Sequence, residues 1–439
     1  MRLPKAPPDS NIDAVPIERL RHIFRSVRPD VDNKYLHWDD LQRRKPPGDL
    51  KHHEWWLGLK FIRRGNLRTL PFQSTDGHPL TFILTEPLPE LLHSFDKDCA
   101  GEIVLSDPLL NPQTRDRYIV SALMEEAVTS SQLEGASTTR EVAQDMLRSG
   151  RAPKNKSERM IFNNFLAMQH LRDMAKNPLT PLIIFDLHRI LTEGTLENNT
   201  AAGRFRTNAE KVRVMSDDDD ILHVPPPANE LEGRVEALCK FANDSNSSPF
   251  IHPLVRAMVL HFMLAYDHPF VDGNGRAARA LFYWSALSRG YGLFEFLPLS
   301  RVILKGPVKY GRAFLLTETD DFDLTYFLLY HAKVIRTAVD DLKLYVRKKT
   351  EEVQQLDRVL QTHDGLNHRQ RALLAHALRH LHHRYTFHSH QTSHNTSYQT
   401  ARTDLLKLAE HELLSLRHEG KTFVFVPSEK LAAKLQGRG

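Results

Sequence analysis

The fold is decided by the stretch His268-Pro269-Phe270-Val271-Asp272-Gly273-Asn274-Gly275-Arg276-Ala277-Ala278-Arg279. An amphipathic run from Pro253 to Asp267 precedes it, and a second helical run begins at about Arg276 and continues to Arg289. Gly273 and Gly275 let the backbone approach a ligand closely, and they direct the free N–H groups of the second helix towards an anion. The sequence therefore predicts a phosphate-binding loop between two helices.

The charged residues of this loop strengthen the prediction. Arg276 and Arg279 are three residues apart, on one face of a first helical turn, where positive charge opposes the helix dipole and requires an anion such as a polyphosphate. Asp272 suits a Mg²⁺ ion that bridges phosphates, and His268 is placed to take a proton from a hydroxyl nucleophile. Each residue alone has an ordinary structural explanation in a cap or a turn. Their combination within twelve residues favours a reactive site.

The same twelve residues resemble the signature of the Fic family, which reads His, any, Phe, any, Asp or Glu, Gly, Asn, Gly, Arg, two of any, Arg, and every fixed position is matched. The resemblance implies Mg²⁺-dependent transfer of AMP from ATP to a Ser, Thr or Tyr hydroxyl of a target protein. The roles it implies are a general base at His268, a metal ligand at Asp272, an anion hole at Gly273, Asn274 and Gly275, and outer-phosphate binding at Arg276 and Arg279.

A hairpin is expected to protrude from the helical surroundings. Two β-prone runs, Lys211 to Met215 and Ile221 to Val224, flank an acidic turn and are followed by three prolines. The turn is more simply a solvated segment than a metal-binding loop. The hairpin resembles the target-binding flap of the Fic family, which pairs with the target by strand addition. In that role the flap residues would be Lys211, Val212, Arg213 and Val214.

A second motif lies upstream, where a helical run from about Arg115 ends in Ser130-Ser131-Gln132-Leu133-Glu134-Gly135. Without a family comparison, Glu134 is an ordinary surface carboxylate. The segment resembles the Fic inhibitory motif, Ser or Thr, three of any, Glu, then Gly or Asn, which begins here at Ser130. The resemblance implies that Glu134 pairs with Arg279 and obstructs the γ-phosphate of ATP. In some family members this glutamate positions a water that removes AMP, so de-AMPylation stays an alternative.

The periodicity divides the chain into four regions and predicts a mainly α protein. Residues 1–110 form a small mixed N-terminal region, residues 111–345 a helical domain with a hairpin, residues 346–365 a connecting helix, and residues 366–439 a C-terminal winged helix. The resemblance implies that residues 111–345 are the Fic catalytic domain, with its inhibitory helix and hairpin flap. Asn395 to Leu408 resembles a winged-helix recognition helix. DNA binding and a protein-docking or dimerisation role remain equal alternatives for this region.

Two function classes follow from these motifs. One is an AMP transferase whose tail recruits a target or DNA, with self-AMPylation and a homodimer left open. The other is a DNA-binding regulator whose Fic core senses a nucleotide. The intact His268 favours the enzyme, because a sensor needs no general base. The sequence does not identify the target protein.

Composition sets the wider limits. Apolar residues make up 41 % and charged residues 26 % of the chain, values typical of globular rather than disordered or membrane proteins, and the net charge is +5. The first residues contain no apolar run, so we expect no signal peptide, no membrane contact and a cytoplasmic location. Cys99 and Cys239 form no disulfide framework. The histidines between His380 and His394 are interpreted as an exposed loop rather than a metal site.

Overall fold

The computed structural model describes residues 2–9, 12–32, 34–100, 112–216, 218–244, 248–362, 365–380, 383–419 and 422–435. These residues belong to two compact units, one drawn from Met1–Val104 and Arg115–Leu342 and the other from Leu105–Thr114 and Lys343–Gly439. Most of the chain is helical, which confirms the predicted mainly α class.

The α-helices, in chain order, are α1 (Ile17–Ser26), α2 (Trp38–Leu41), α3 (His52–Arg64), α4 (Leu88–Cys99), α5 (Pro112–Leu133), α6 (Arg140–Ser149), α7 (Lys156–Met174), α8 (Pro181–Thr192), α9 (Leu231–Asn243), α10 (Pro253–Asp267), α11 (Asn274–Ser288), α12 (Leu299–Leu304), α13 (Pro307–Glu318), α14 (Thr325–Thr362), α15 (His368–Arg379), α16 (Phe387–His394), α17 (Tyr398–Glu410) and α18 (Leu431–Leu435). The strands form three antiparallel pairs, β1 (Arg68–Gln73) with β2 (Pro79–Phe82), β3 (Val214–Met215) with β4 (Ile221–His223), and β5 (Leu414–Glu419) with β6 (Thr422–Pro427).

Helices α10 and α11 form the centre of the first unit. Every residue of α10 from Leu254 to Leu264 is buried, as expected for a helix that is apolar on all sides. Helix α11 packs against α10, α7 and α8, while α9 packs on the other side of α10. The loop between α10 and α11 is therefore held at both ends by buried helices.

The N-terminal region packs on the helical core of the same unit. Its third helix, α3, buries two cationic side chains that find polar partners far along the chain. Lys60 Nζ lies 2.7 Å from Asp320 Oδ1, and Arg63 Nη1 donates to Tyr326 Oη at 3.2 Å. Buried charges are tolerated when they are paired in this way. The division of this unit at residue 110 stays a proposal.

The β3–β4 hairpin is shorter than its sequence indicates. Strand β3 begins at Val214, so the segment from Lys211 to Arg213 lies outside it, and the pairing shifts in register between Val214 and Met215. Lys211 and Arg213 are exposed. Pairing beyond Val214 and His223 would bring Lys211 to Arg213 opposite Val224 and the prolines that follow it, which have no backbone N–H to donate, so the ladder ends there.

The second unit has a core of its own, and after the end of α14 its elements follow one another as three helices, a hairpin and the short helix α18. This core is formed by apolar residues of these elements, which include Leu360, Leu373, Leu374, Phe387, Leu405, Leu408, Leu414, Phe425, Leu431 and Leu435. Asp404 is buried at its edge and accepts hydrogen bonds from Arg369 and Asn367. Its classification as a winged helix stays a proposal.

The described residues contain no group of three His, Cys, Asp or Glu side chains arranged to hold a metal ion. His382 of the histidine-rich segment lies outside the described residues. Within these same ranges no helix combines the length and the apolar character needed to cross a bilayer.

Candidate active site

The loop between α10 and α11 has a backbone that depends on its glycines and on one asparagine. Gly273 caps α11 with a φ of 84°, and a Cβ at this position would lie 2.8 Å from Thr192 Cγ2, so both conformation and space require glycine. Asn274 Oδ1 accepts from Phe270 N at 2.9 Å, and its Nδ2 donates to Phe270 O at 2.8 Å. The Asn274 side chain therefore closes the loop with one of its two N–H donors and its oxygen.

His268 is positioned as a neutral base. It ends α10 in a left-handed conformation, and its Nδ1 lies 3.1 Å from Ala265 O. A carbonyl oxygen only accepts, so Nδ1 carries the hydrogen and Nε2 keeps its lone pair. Burial lowers the pKa of His268 to about 4, and the charges of His223 and Arg206 act in the same direction. The side chain is uncharged at neutral pH and able to accept a proton.

The guanidinium of Arg276 is buried and does not use all of its hydrogen-bond donors. Its Nη1 donates to Leu191 O at 2.8 Å, whereas Nε and Nη2 have no hydrogen-bond partner among the described residues. The nearest carboxylate is that of Asp272, with Oδ1 3.9 Å from Nη2. Burial lowers the pKa of Arg276, which reflects the cost of holding this charge in the interior. An anion at the start of α11 would satisfy both donors.

Ser130 and Glu134 both contact Arg279. Arg279 Nη2 lies 2.9 Å from Glu134 Oε1 and also donates to Ser130 O at 2.9 Å, while its Nε donates to Ser130 Oγ at 2.8 Å. A Cβ on Gly275 would lie 2.1 Å from Glu134 Oε1, so the carboxylate rests directly over the first turn of α11. This is where the free N–H groups of a helix attract an anion.

Asp272 lies at the open side of the loop. Its Oδ1 accepts from Gly273 N at 2.5 Å, and its side chain is 45 % exposed. A single accessible carboxylate beside an anion site suits Mg²⁺, which is usually held by one or two carboxylates together with phosphate oxygens and waters. The residues present are thus compatible with a magnesium ion that arrives with its nucleotide.

Two side chains of this site were missed by the sequence analysis because they act on backbone atoms far away in sequence. His188 Nδ1 accepts from Gly203 N at 2.9 Å and its Nε2 donates to Asp272 O at 2.9 Å, with the ring stacked on Phe270. Arg206 Nε donates to His268 O at 2.8 Å. A signal for Arg206 is the basic segment Ala202-Gly203-Arg204-Phe205-Arg206, which resembles the start of the family's flap but does not indicate a contact with the loop.

The loop and the buried arginines at the start of α11 form a candidate anion site within a helical domain. Residues 178–286, which include this loop, match the Fic/DOC family. This part of the chain is therefore a Fic domain, and the resemblance found in the signature is confirmed.

Similar proteins agree with this assignment. The chain is 29 % identical over 142 residues to the "Protein adenylyltransferase Fic" of Nematostella vectensis, a match that covers 32 % of this chain and 29 % of that protein. It is 29 % identical over 164 residues to the protein of the same name from Drosophila melanogaster, which covers 36 % and 31 % respectively. The chain thus spans less than a third of the length of these relatives.

One solved structure resembles most of the chain. It is a Fic family protein from Desulfovibrio desulfuricans, with a TM-score of 0.54 and 19 % sequence identity, and the similarity covers 79 % of this chain and 97 % of that one. At 19 % sequence identity this similarity supports the fold of the chain alone.

Proposed function

We propose that the site transfers AMP from ATP to a hydroxyl group of a protein. The observation that carries the proposal is the Glu134 carboxylate, which rests over Gly275 and pairs with Arg279 where the helix start and two buried arginines favour an anion. The name that the similar proteins carry, protein adenylyltransferase, agrees with this chemistry.

The residues divide the reaction between them. His268 Nε2 takes the proton of the incoming hydroxyl, whose oxygen attacks the α-phosphorus of ATP. The bond from that phosphorus to the bridging oxygen breaks, and pyrophosphate leaves. The α11 N–H groups, Arg276 and Arg279 bind the phosphate oxygens. Asp272 would hold Mg²⁺, which supplies positive charge to neutralise the phosphates.

We further propose that Glu134 inhibits the transfer. Its carboxylate occupies one donor of Arg279 and the space over Gly275, so ATP must displace it before the outer phosphates bind. A hydrogen bond between charged groups contributes about 1.5–3 kcal/mol, which corresponds to about ten- to a hundredfold in ATP affinity. The inhibition should therefore be incomplete and sensitive to ATP concentration.

Replacement of Glu134 tests both proposals. Glu134→Gly should raise transfer of labelled AMP to itself or to proteins of a lysate by about ten- to a hundredfold at low ATP, and Glu134→Gln, which keeps the shape but loses the charge, should raise it less. Glu141→Gln, an exposed residue of α6, is the matched control. Equal activity of Glu134→Gly and the wild type would contradict inhibition.

De-AMPylation by the same residues is the alternative reaction. It predicts that the wild-type protein releases AMP from a purified AMPylated target and that Glu134→Gly loses this activity. The two directions are separated when label uptake and label release are measured side by side on one target.

The hairpin and the second unit are proposed to recruit the target. Exposed Met215, Ile221 and Val224 give the β3–β4 hairpin an apolar surface for a target segment. Helix α17 exposes a row of polar side chains at Tyr398, Gln399, Arg402 and Thr403. DNA and a protein both fit such a row, and binding of labelled duplex DNA to the full chain separates these two proposals.

A further inference from the structure

The C-terminal end of α10 is capped by two side chains from one segment. The last carbonyl groups of a helix have no partner within the helix, and cations near them are favourable. Here Tyr266 O is 2.7 Å from His223 Nε2, and His268 O accepts from Arg206 Nε at 2.8 Å. Arg206 precedes the β3–β4 hairpin and His223 ends it. The hairpin is therefore attached to the helix that presents the candidate base.

The hydrogen bonds of His223 define its charge. Its Nε2 faces the carbonyl of Tyr266, which only accepts, so this nitrogen carries a hydrogen. Its Nδ1 lies 2.7 Å from Glu318 Oε2, and a carboxylate also accepts. With both nitrogens donating, the ring is an imidazolium. Burial lowers the pKa of His223, but the hydrogen bond and the charge of Glu318 outweigh it, and the pKa is raised.

The position of Glu318 also favours its ion pair with the His223 cation. It is the last residue of α13, where the negative end of the helix dipole disfavours a carboxylate. The side chain of His223 is only 8 % exposed and that of Glu318 only 19 %, so the pair is weakly screened by solvent. His223 thus joins two helix ends, of α10 and α13, to the second strand of the hairpin.

We propose that His223, as a cation, is a positioning residue for AMP transfer: it holds the β3–β4 hairpin on the last turn of α10 and keeps positive charge next to His268. This inference rests on the proposed function. His223 touches neither nucleotide nor hydroxyl in it and acts through Tyr266, Glu318 and His268. In this role His223 helps the target protein to dock next to the uncharged His268.

The charged and titratable groups around His223 make the effect measurable. On α10 they are Tyr266, whose ring centroid is 4.8 Å away, Asp267 and His268, and on α13 the group is Glu318. Burial raises the pKa of Asp267 to about 6 and lowers the pKa of His268 to about 4, and the charge of His223 acts downward on both. Loss of that charge should raise the pKa of His268, so the base would become protonated at a higher pH.

The test compares variants in the Glu134→Gly background with one purified target. His223→Gln should raise the KM for the target about tenfold, because the hairpin loses its attachment, and should move the acid limb of the kcat profile upward by about 0.5–1 pH unit. Glu318→Gln, which removes the carboxylate and keeps the side-chain size, weakens the attachment of His223 and should raise the KM for the target in the same way. His93→Gln on the exposed face of α4 is the control and should change neither quantity.

The outcomes separate this inference from the proposed function. If Glu134→Gly transfers no AMP, the proposed function fails first. If it transfers AMP while His223→Gln and Glu318→Gln keep its KM and its acid limb, the role of His223 is overturned. A variant that merely lost stability would lower kcat at every pH without moving the limb, and that result would also contradict the proposal.

Discussion

At the scale of single residues, the chemistry depends on which nitrogen of His268 is free. The Ala265 carbonyl fixes the hydrogen on Nδ1 and leaves Nε2 as the acceptor. The backbone supports this arrangement, since Arg206 binds the His268 carbonyl and the residue adopts a left-handed conformation. Orientation and protonation of the base are therefore determined by neighbours that the signature does not contain.

The lowered pKa of His268 leads to a prediction on pH. The neutral imidazole is the active form in the proposed reaction, and Glu134→Gly also removes a charge that raises the pKa of His268, so kcat of this variant should decline only as pH falls to about 4 or lower. A profile of AMP transfer against pH, with stability followed by circular dichroism, measures this limb. An acid limb near the ordinary histidine value of about 6.5 would contradict a buried, neutral base.

At the scale of elements, the contact between α5 and α11 depends on Ser130 as well as on Glu134. Ser130 supplies its hydroxyl and its carbonyl to Arg279, and all these groups are buried. Ser130→Ala leaves the Nε of Arg279 without its partner and should lower the free energy of unfolding by about 1–3 kcal/mol.

Urea denaturation of the full chain measures this loss. The matched control is Ser149→Ala in α6, where the hydroxyl donates to Asp145 O at an exposed position. It should cost much less, because water replaces an exposed hydrogen bond. Equal losses in the two variants would mean that Ser130 does not hold Arg279 in place.

The sequence predicted the elements of the site where the signal is local. The glycines and arginines of the α10–α11 loop are adjacent in the chain, and the pair of Glu134 with Arg279 followed from two short motifs. His188, Arg206 and His223 gave no comparable signal, because each acts on backbone or side-chain groups that only the fold brings near. The strand predicted from Lys211 begins at Val214, since β propensity does not show that the partner strand is followed by prolines, which cannot extend the ladder.

At the scale of the whole molecule, the N-terminal region is part of the unit that holds the site. Lys60 and Asp320 are 260 positions apart in the chain and form a buried pair, with Asp321 Oδ2 also 2.9 Å from Lys60 Nζ. Periodicity reports on neighbouring residues, so it cannot reveal this contact. The four regions predicted from the sequence follow local sequence patterns, and they do not show which parts of the chain pack together.

Removal of Lys60 tests the importance of this contact. Lys60→Ala leaves the buried Asp320 carboxylate with the hydroxyl of Tyr326 alone and should lower the free energy of unfolding by about 3 kcal/mol. Lys97→Ala at an exposed position of α4 is the control and should change it by less than about 0.5 kcal/mol. Equal stability of the two variants by urea denaturation would show that the pair does not hold the N-terminal region.

The most direct test of the central claim uses ATP labelled at different phosphates. Relative to a cell lysate without the protein, the Glu134→Gly protein incubated with Mg²⁺ and the same lysate should attach additional label from ATP labelled at the α-phosphate and none from ATP labelled at the γ-phosphate. The additional change His268→Ala should reduce this transfer by about a hundredfold or more. Label from the γ-phosphate, or undiminished transfer without His268, would contradict AMP transfer by this site.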